Sequence, residues 1–339
     1  MLAQVPSTVW LANLSIYPQA TIFHHPSWIN LLAYCYGYRP NLLAFQNGNG
    51  LMPAGLPVLN VNSLITGRRA VALPFSDFCP PLGVVSDVFI NELQAWRKQQ
   101  RLPQLLVHWP LPEGDGVFQG EVNAQHITRL NAGPQAVFRE FKRTQVQQPI
   151  RQAEKAGVVI RRGEGWQDMR LFYELHLQTR RRLGTPVQPL RFFRLLWERL
   201  MTQGLGFVLL AYQGEQLLAG AVFLHWNKTL TYKYSASDPR YLYLKPNNLL
   251  LWHAIQWGCK SGYEVFDWGK TDINNEGLRD FKRGWGSDEQ ILHYSVLADH
   301  TPVAKLSSGI NQRLLAGVIQ HSPAWVCRMI GELLYSHFA

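Results

Sequence analysis

Between Thr229 and Gly286 the hydrophobic period of the chain switches from strand to helix and back, which limits the folds this chain can adopt. Thr229 to Ser235 alternates β-branched and aromatic side chains, as a strand does, until the turn residues SDPR interrupt it. Lys245, Pro246 and Asn247 then predict a helix start, because proline fits the first turn and asparagine can cap it. Leu249 to Gly258 forms the apolar body of that helix, Gly262 closes it, and Tyr263 to Trp268 reads as a second strand. A strand feeding a helix whose free amides face back over the strand's end can bind an acyl or phosphate group, a geometry common to many folds.

The rest of the chain supplies a second, similar series. A helix is expected from His25 to Tyr36, starting at Pro26, then a strand over Asn41–Phe45, a hairpin turn at NGNG (47–50) and a partner strand from Leu51 to Asn60. Pro53 and Pro57 push that partner towards a sheet edge. Strand 70–74, the loop PFSDFCPPLG, helix 91–101 and strand 104–108 follow. From residue 190 the order repeats as helix 190–203, strands 206–212 and 217–226 around the turn QGEQ, strand 229–236, helix 247–261 and strand 263–268. LMPAG after the first hairpin turn echoes LLAG after the second, so an internal duplication is expected. Residues 135–184 read as helical and strongly basic, with Pro149 predicting a break or restart. Helices are expected over 303–320 and 323–338. The last places Trp325, Val326, Met329, Ile330, Leu333 and Leu334 on one face, read as packing against the second unit, with a membrane-surface helix as the alternative.

With 47% hydrophobic residues in 339, the chain can bury a large core, and its composition excludes disorder. A formal net charge of +10 favours an acidic partner: tRNA, an anionic precursor, a nucleotide cofactor or a membrane surface. Cys35, Cys79, Cys259 and Cys327 are scattered, which argues for free thiols and against zinc. His108, His225 and His253 lack metal spacing and read as core histidines. The start lacks a basic leader, and no apolar run reaches the roughly 18 residues of a spanning helix. The expectation is a cytoplasmic protein with no transmembrane segment, peripheral contact at the inner membrane surface being left open.

Three motifs give a more specific signal. The strand YKYSAS, the run YLKPNNLL and GYEVFDWGKTDINNEGLRDFKRGWG, with its aromatic-D-x-G, EGL, FK and WG, follow one another in the order and spacing of FemAB-like proteins of the GNAT acyltransferase superfamily. IRQAEKAGV and TRRRLGTPVQPLRFF resemble that family's middle part, and the resemblance spans roughly residues 20–300. It implies an α/β fold of two tandem GNAT-like units, each a mixed, mostly antiparallel twisted sheet flanked by helices, plus C-terminal helices. The expected boundaries are 1–134 for the first unit, 135–188 for a basic helical connector belonging to the second, 189–300 for the catalytic unit and 301–339 for the terminal helices.

The implied activity joins an acyl or aminoacyl group to an amine of a peptidoglycan or polysaccharide precursor. Such a reaction needs an oriented, unprotonated amine and a charge or dipole facing the developing oxyanion, with neither a metal nor a permanently bound cofactor. The donor is a co-substrate: acyl-CoA, an acyl carrier or aminoacyl-tRNA. Lys282, in the FK motif, matches the lysine the family sets near the carbonyl or a substrate phosphate. Tyr232 and Tyr234, two apart on a strand and so expected on one face, match channel tyrosines and read equally as core aromatics. Asp77 matches a proposed general base, with acceptor docking or a substrate-borne base as alternatives. Arg240, Lys245 and Asn247 occupy the place where GNAT enzymes grip the coenzyme A pyrophosphate, but the usual glycines are missing there. Arg181, beside Thr179 and Arg182, matches a position lining the substrate cleft, although a solvated basic helix end explains it nearly as well. Asp267 is expected to bind loop amides. Cys79 has no nameable partners as a nucleophile. A non-catalytic binding module for an anionic envelope ligand, and a coenzyme A-dependent N-acetyltransferase for a small amine, are the rival readings.

Overall fold

A computed structural model describes residues 2–45, 52–63, 65–302 and 309–338. The chain divides into two compact units: residues 1–124, 291–305 and 336–339 form the first, and residues 125–290 and 306–335 the second.

The first unit runs β1 (Leu2–Gln4), α1 (Ser7–Leu14), α2 (Pro26–Tyr36), β2 (Arg39–Phe45), β3 (Ala54–Ser63), β4 (Gly67–Ala72), β5 (Leu82–Gly83), α3 (Asp87–Gln99), β6 (Gln104–Val107) and the first part of β7 (Val117–Arg129). Helix α2 starts at Pro26 as expected and stops at Gly37, whose φ of +71° a side chain would resist. Helix α3 starts four residues before the expected Asn91, because Ser86 caps it by accepting from the Phe89 amide. The hairpin turn expected at 47–50 lies outside the described residues. Its partner strand β3 is not an edge: β2 lies on one side, β4 and β5 on the other. Pro57 is tolerated because it falls between the stretch paired with β5, which ends at Gly55, and the stretch paired with β4, which begins at Leu59.

The second unit contains the rest of β7, then α4 (Pro134–Glu140), α5 (Gln148–Lys155), β8 (Val159–Arg162), α6 (Trp166–Arg182), α7 (Leu190–Arg199), β9 (Gly206–Gln213), β10 (Gln216–Trp226), β11 (Thr229–Ser237), α8 (Pro246–Lys260), β12 (Val265–Asp272) and α9 (Glu276–Arg283). Strand β13 (Asp288–Ala298) starts in this unit and ends in the first; α10 (Gly309–His321) and α11 (Ala324–Leu334) return to the second. Positions 303–308 of the expected 303–320 helix lie outside the described residues. The restart expected at Pro149 is there: α4 and α5 are joined by a π-helical turn, Arg143–Gln147, and Pro149 lies in the first turn of α5.

The expected repeat is visible in the topology. In the first unit the antiparallel run β2–β3–β4 leads through α3 to β6, parallel to β4; in the second, β9–β10–β11 leads through α8 to β12, parallel to β11. The second unit's strand order is β7–β12–β11–β10–β9–β8. Alternation along β10 sorts its two faces. A side chain on Gly220 would press on Phe172 of α6, whereas Ala219, Ala221 and Phe223 join the core built with α5 and α8. Helix α6 thus covers one face and α8 the other.

Candidate functional site

The parallel pairing of β11 with β12 runs from Thr229–Val265 only to Thr231–Asp267, although β11 continues to Ser237 and β12 to Asp272. Beyond that point, among the described residues, the β11–β12 ladder ends and the two strands part. A bulge begins there. Val222 pairs with Tyr234 and Phe223 with Tyr232, so Lys233 is the extra residue on β11.

The bulge overturns the shared face expected for the two tyrosines. Tyr232 stacks on Phe223 and Phe266 and meets Trp268 edge-on, in the α8 core. Tyr234 instead lies among His176, Phe192 and Phe193, on the α6–α7 side. Period-two counting fails because one inserted residue, Lys233, puts positions two apart on opposite faces. Burial raises the Tyr232 phenol to about 12.

The end of β12 is held by Lys282. Its side chain is only 3% exposed, and Nζ donates to the carbonyls of Trp268 (2.7 Å), Gly269 (2.9 Å) and Lys270 (3.4 Å). This arrangement explains the aromatic-D-x-G motif. Asp267 Oδ1 accepts from the Gly269 amide at 2.9 Å, and the φ of +67° at Gly269 turns the strand so that successive carbonyls converge on one ammonium. Helix α9, which carries Lys282, begins at Asn275, whose side chain accepts from the Leu278 amide. Asn275→Ala is expected to cost about 1 kcal/mol of stability, measured by urea unfolding. Behind Lys282, Trp268 packs on Trp285 and Phe281, and Trp268 Nε1 donates to Thr128 Oγ1 at 2.9 Å.

Residues 140–283 match the family model described as "Acetyltransferase (GNAT) domain". Among solved structures, FemX superposes with a TM-score of 0.71 at 13% identity, over 93% of this chain and 100% of that one. The chain shares the fold of FemX, and residues 140–283 match a GNAT domain. The C-terminal domain of a putative lysylphosphatidylglycerol synthetase from Agrobacterium fabrum gives a TM-score of 0.56 at 13% identity, over 92% of this chain and 96% of that one. A tandem GNAT protein from the clavulanic acid biosynthesis pathway gives 0.54 at 9% identity, over 89% and 99%. None of the curated proteins matches in sequence.

A cleft of about 550 Å³ in the GNAT unit brings two of the sequence-predicted residues together: Arg181 and Arg240 line it with Arg182, Thr179, Ser237 and Asp238. Thr179 ties α6 to the end of β11, accepting from the Ser237 amide at 3.2 Å and donating to its carbonyl at 3.3 Å. Arg240 is exposed and chelates Asp238, whose carboxyl that contact holds below its usual range. Arg181 keeps a buried Nε without a hydrogen bond.

Lys245 and Asn247 sit at the start of α8. The cap is not the expected asparagine. Lys245 is the N-cap residue, in left-handed conformation at φ +56° with no side-chain cap bond, and Asn247 falls inside the first turn. A turn of 3₁₀ helix, Pro239–Leu244, takes the place of a glycine-rich loop here and delivers the chain to α8 two residues earlier than capping by Asn247 needs.

Asp77 belongs to the first unit and is half-buried, in a loop where Leu73 and Phe75 adopt positive φ. Trp28 Nε1 donates to Ser76 Oγ, and the Tyr294 hydroxyl donates to the Asp77 carbonyl at 2.6 Å. Cys79 does have a histidine neighbour, His24 Nε2 at 3.5 Å, but that nitrogen also lies 2.8 Å from the Pro80 carbonyl and donates there. Burial raises the thiol far above its ordinary range and lowers His24 to about 4, so this pair is not a thiolate–imidazolium nucleophile. His108 stacks on Tyr294 and His225 Nδ1 contacts the Tyr263 hydroxyl, whereas His253 is exposed on α8 rather than in the core. Nothing in the local pattern points to His126: fully buried on β7, it lies 2.8 Å from Glu289, and burial followed by the Lys282 charge lowers it to about 4.

Proposed function

We propose that this chain is an acyltransferase that joins an acyl or aminoacyl group to an amine of a cell-envelope precursor, peptidoglycan or polysaccharide, at the point where β11 and β12 part. The observation that carries the reading is that divergence, immediately after Thr231–Asp267, in a GNAT sheet whose β12 is pinned by a buried lysine. Names among the structural neighbours, FemX and a lysylphosphatidylglycerol synthetase domain, support envelope chemistry.

Each group has a task under this reading. The facing edges of β11 and β12, beyond the end of their ladder, receive the donor's acyl arm in extended form. Lys282 acts through the backbone: by bonding the carbonyls of residues 268–270 it polarises the peptides that follow them, and with the Gly269 amide held by Asp267 the N–H ends left for this role are those of Lys270 and Thr271. That makes it a positioning residue for amide dipoles that stabilise the oxyanion. Arg181, Arg182 and Arg240 receive an anionic part of donor or acceptor, a diphosphate or carboxylate. Tyr232 and Tyr234 shape the two sides of the bulge, and Lys245 with Asn247 presents the first turn of α8. Asp77 remains the candidate base for the amine.

Purified protein supplied in turn with acyl-CoA, acyl carrier protein and aminoacyl-tRNA, together with amine-bearing precursors, is expected to give an amide product by mass spectrometry with one donor class. Retention of precursor with no product from any donor would instead identify a binding module.

A further inference from the structure

The C-terminal helices do not hide their apolar face as the sequence suggests. Helix α11 docks through Cys327 and Gly331, one turn apart and both buried; a side chain at Gly331 would strike the Val187 carbonyl. On its opposite side Trp325, Met329 and Leu333, also one turn apart, are 62%, 52% and 65% exposed. Leu314 and Val318 of α10 and Leu183 at the end of α6 are likewise more than half exposed. A side chain at Gly184 would meet Ala316 of α10, so Leu183 lies beside that helix.

We infer that this face rests on an anionic lipid bilayer. The choice of occupant comes from charge and position. Helices α6 and α7 carry seven arginines against three acidic residues, and the cleft containing Arg181, Arg182 and Arg240 is also lined by Gln320 of α10 and by Ala324, the residue before Trp325. Arginines, whose guanidinium groups suit phosphate, thus border an indole and unbranched or branched aliphatic side chains. That combination suits the bilayer interface, where tryptophan favours the headgroup level and anionic lipids attract arginine. The acids near the face are neutralised: Glu332 pairs with Arg191 at 3.6 Å, and Glu174 pairs with Arg328.

The test needs neither donor nor acceptor, so it stands apart from the transfer reading. Full-length protein is sedimented with vesicles of phosphatidylglycerol and phosphatidylcholine, or of phosphatidylcholine alone. Binding to the anionic vesicles is expected to exceed binding to neutral ones at least tenfold and to weaken about tenfold in W325S/M329S/L333S. The three side chains are exposed, so circular dichroism and urea unfolding should match the parent. The inference is overturned by equal or absent binding to the two vesicle types, by unchanged binding of the triple variant, or by a concentration-dependent dimer that the triple variant dissolves, which would make the face a contact between copies.

Discussion

Lys282→Met is expected to lower stability by about 3 kcal/mol, because it leaves the carbonyls of Trp268, Gly269 and Lys270 without their donor inside a buried site. Urea unfolding at neutral pH measures it; a change below about 0.5 kcal/mol would mean that the ammonium does not hold β12. Methionine fills similar space, so the loss reports hydrogen bonding rather than a cavity. At temperatures where the variant stays folded, transfer should fall about 100-fold, the scale of losing oxyanion stabilisation. Lys282→Arg should not rescue it, since a planar guanidinium cannot aim three donors at carbonyls gathered around one point.

Acid should unfold this protein through its buried histidines. His24, His126 and His176 are 0%, 0% and 3% exposed, and burial lowers each from 6.5 to about 4. Between those values the unfolded chain binds protons that the folded chain refuses. Stability is therefore complete above pH 6.5 and declines as pH falls towards 4, by on the order of 3 kcal/mol per histidine at the lower end. Glu289, held near 2 chiefly by its hydrogen bond from Arg279, has the ordinary carboxylate sign, so its contribution is lost only below pH 4.5. Urea midpoints at half-unit steps from pH 7.5 to 4.5 should fall steeply; flat midpoints would show that the three imidazoles are protonated or solvated in the native state. His176→Gln, which can still meet the Gln188 side chain, should remove one proton's worth of the slope.

Much of the architecture was readable because it depends on local pattern. Pro26 and Gly37 bound α2, QGEQ turns β9 into β10, and the change of period across 229–268 gives β11, α8 and β12. One unread element has a composition that opposes its setting. β7 buries Asn123, His126 and Thr128, so a strand inside the protein carries the polar residues of a loop. At the candidate site the sequence supplied residue types but not directions: the motif singled out Lys282, while the partners of its charge are backbone groups that no side-chain code reports.

The sequence by itself determined the repeated order of strands and helices, the family resemblance and the arginine-rich end of α6, since each is written in neighbouring residues. Only the tertiary structure decided that Tyr232 and Tyr234 face opposite ways, that Lys282 is buried beneath three carbonyls, and that Trp325, Met329 and Leu333 point outward. A bulge depends on the partner strand, a lysine's burial on what folds over it, and a helix's outward face on which of its sides is narrow enough to dock; none of these is a property of the segment alone.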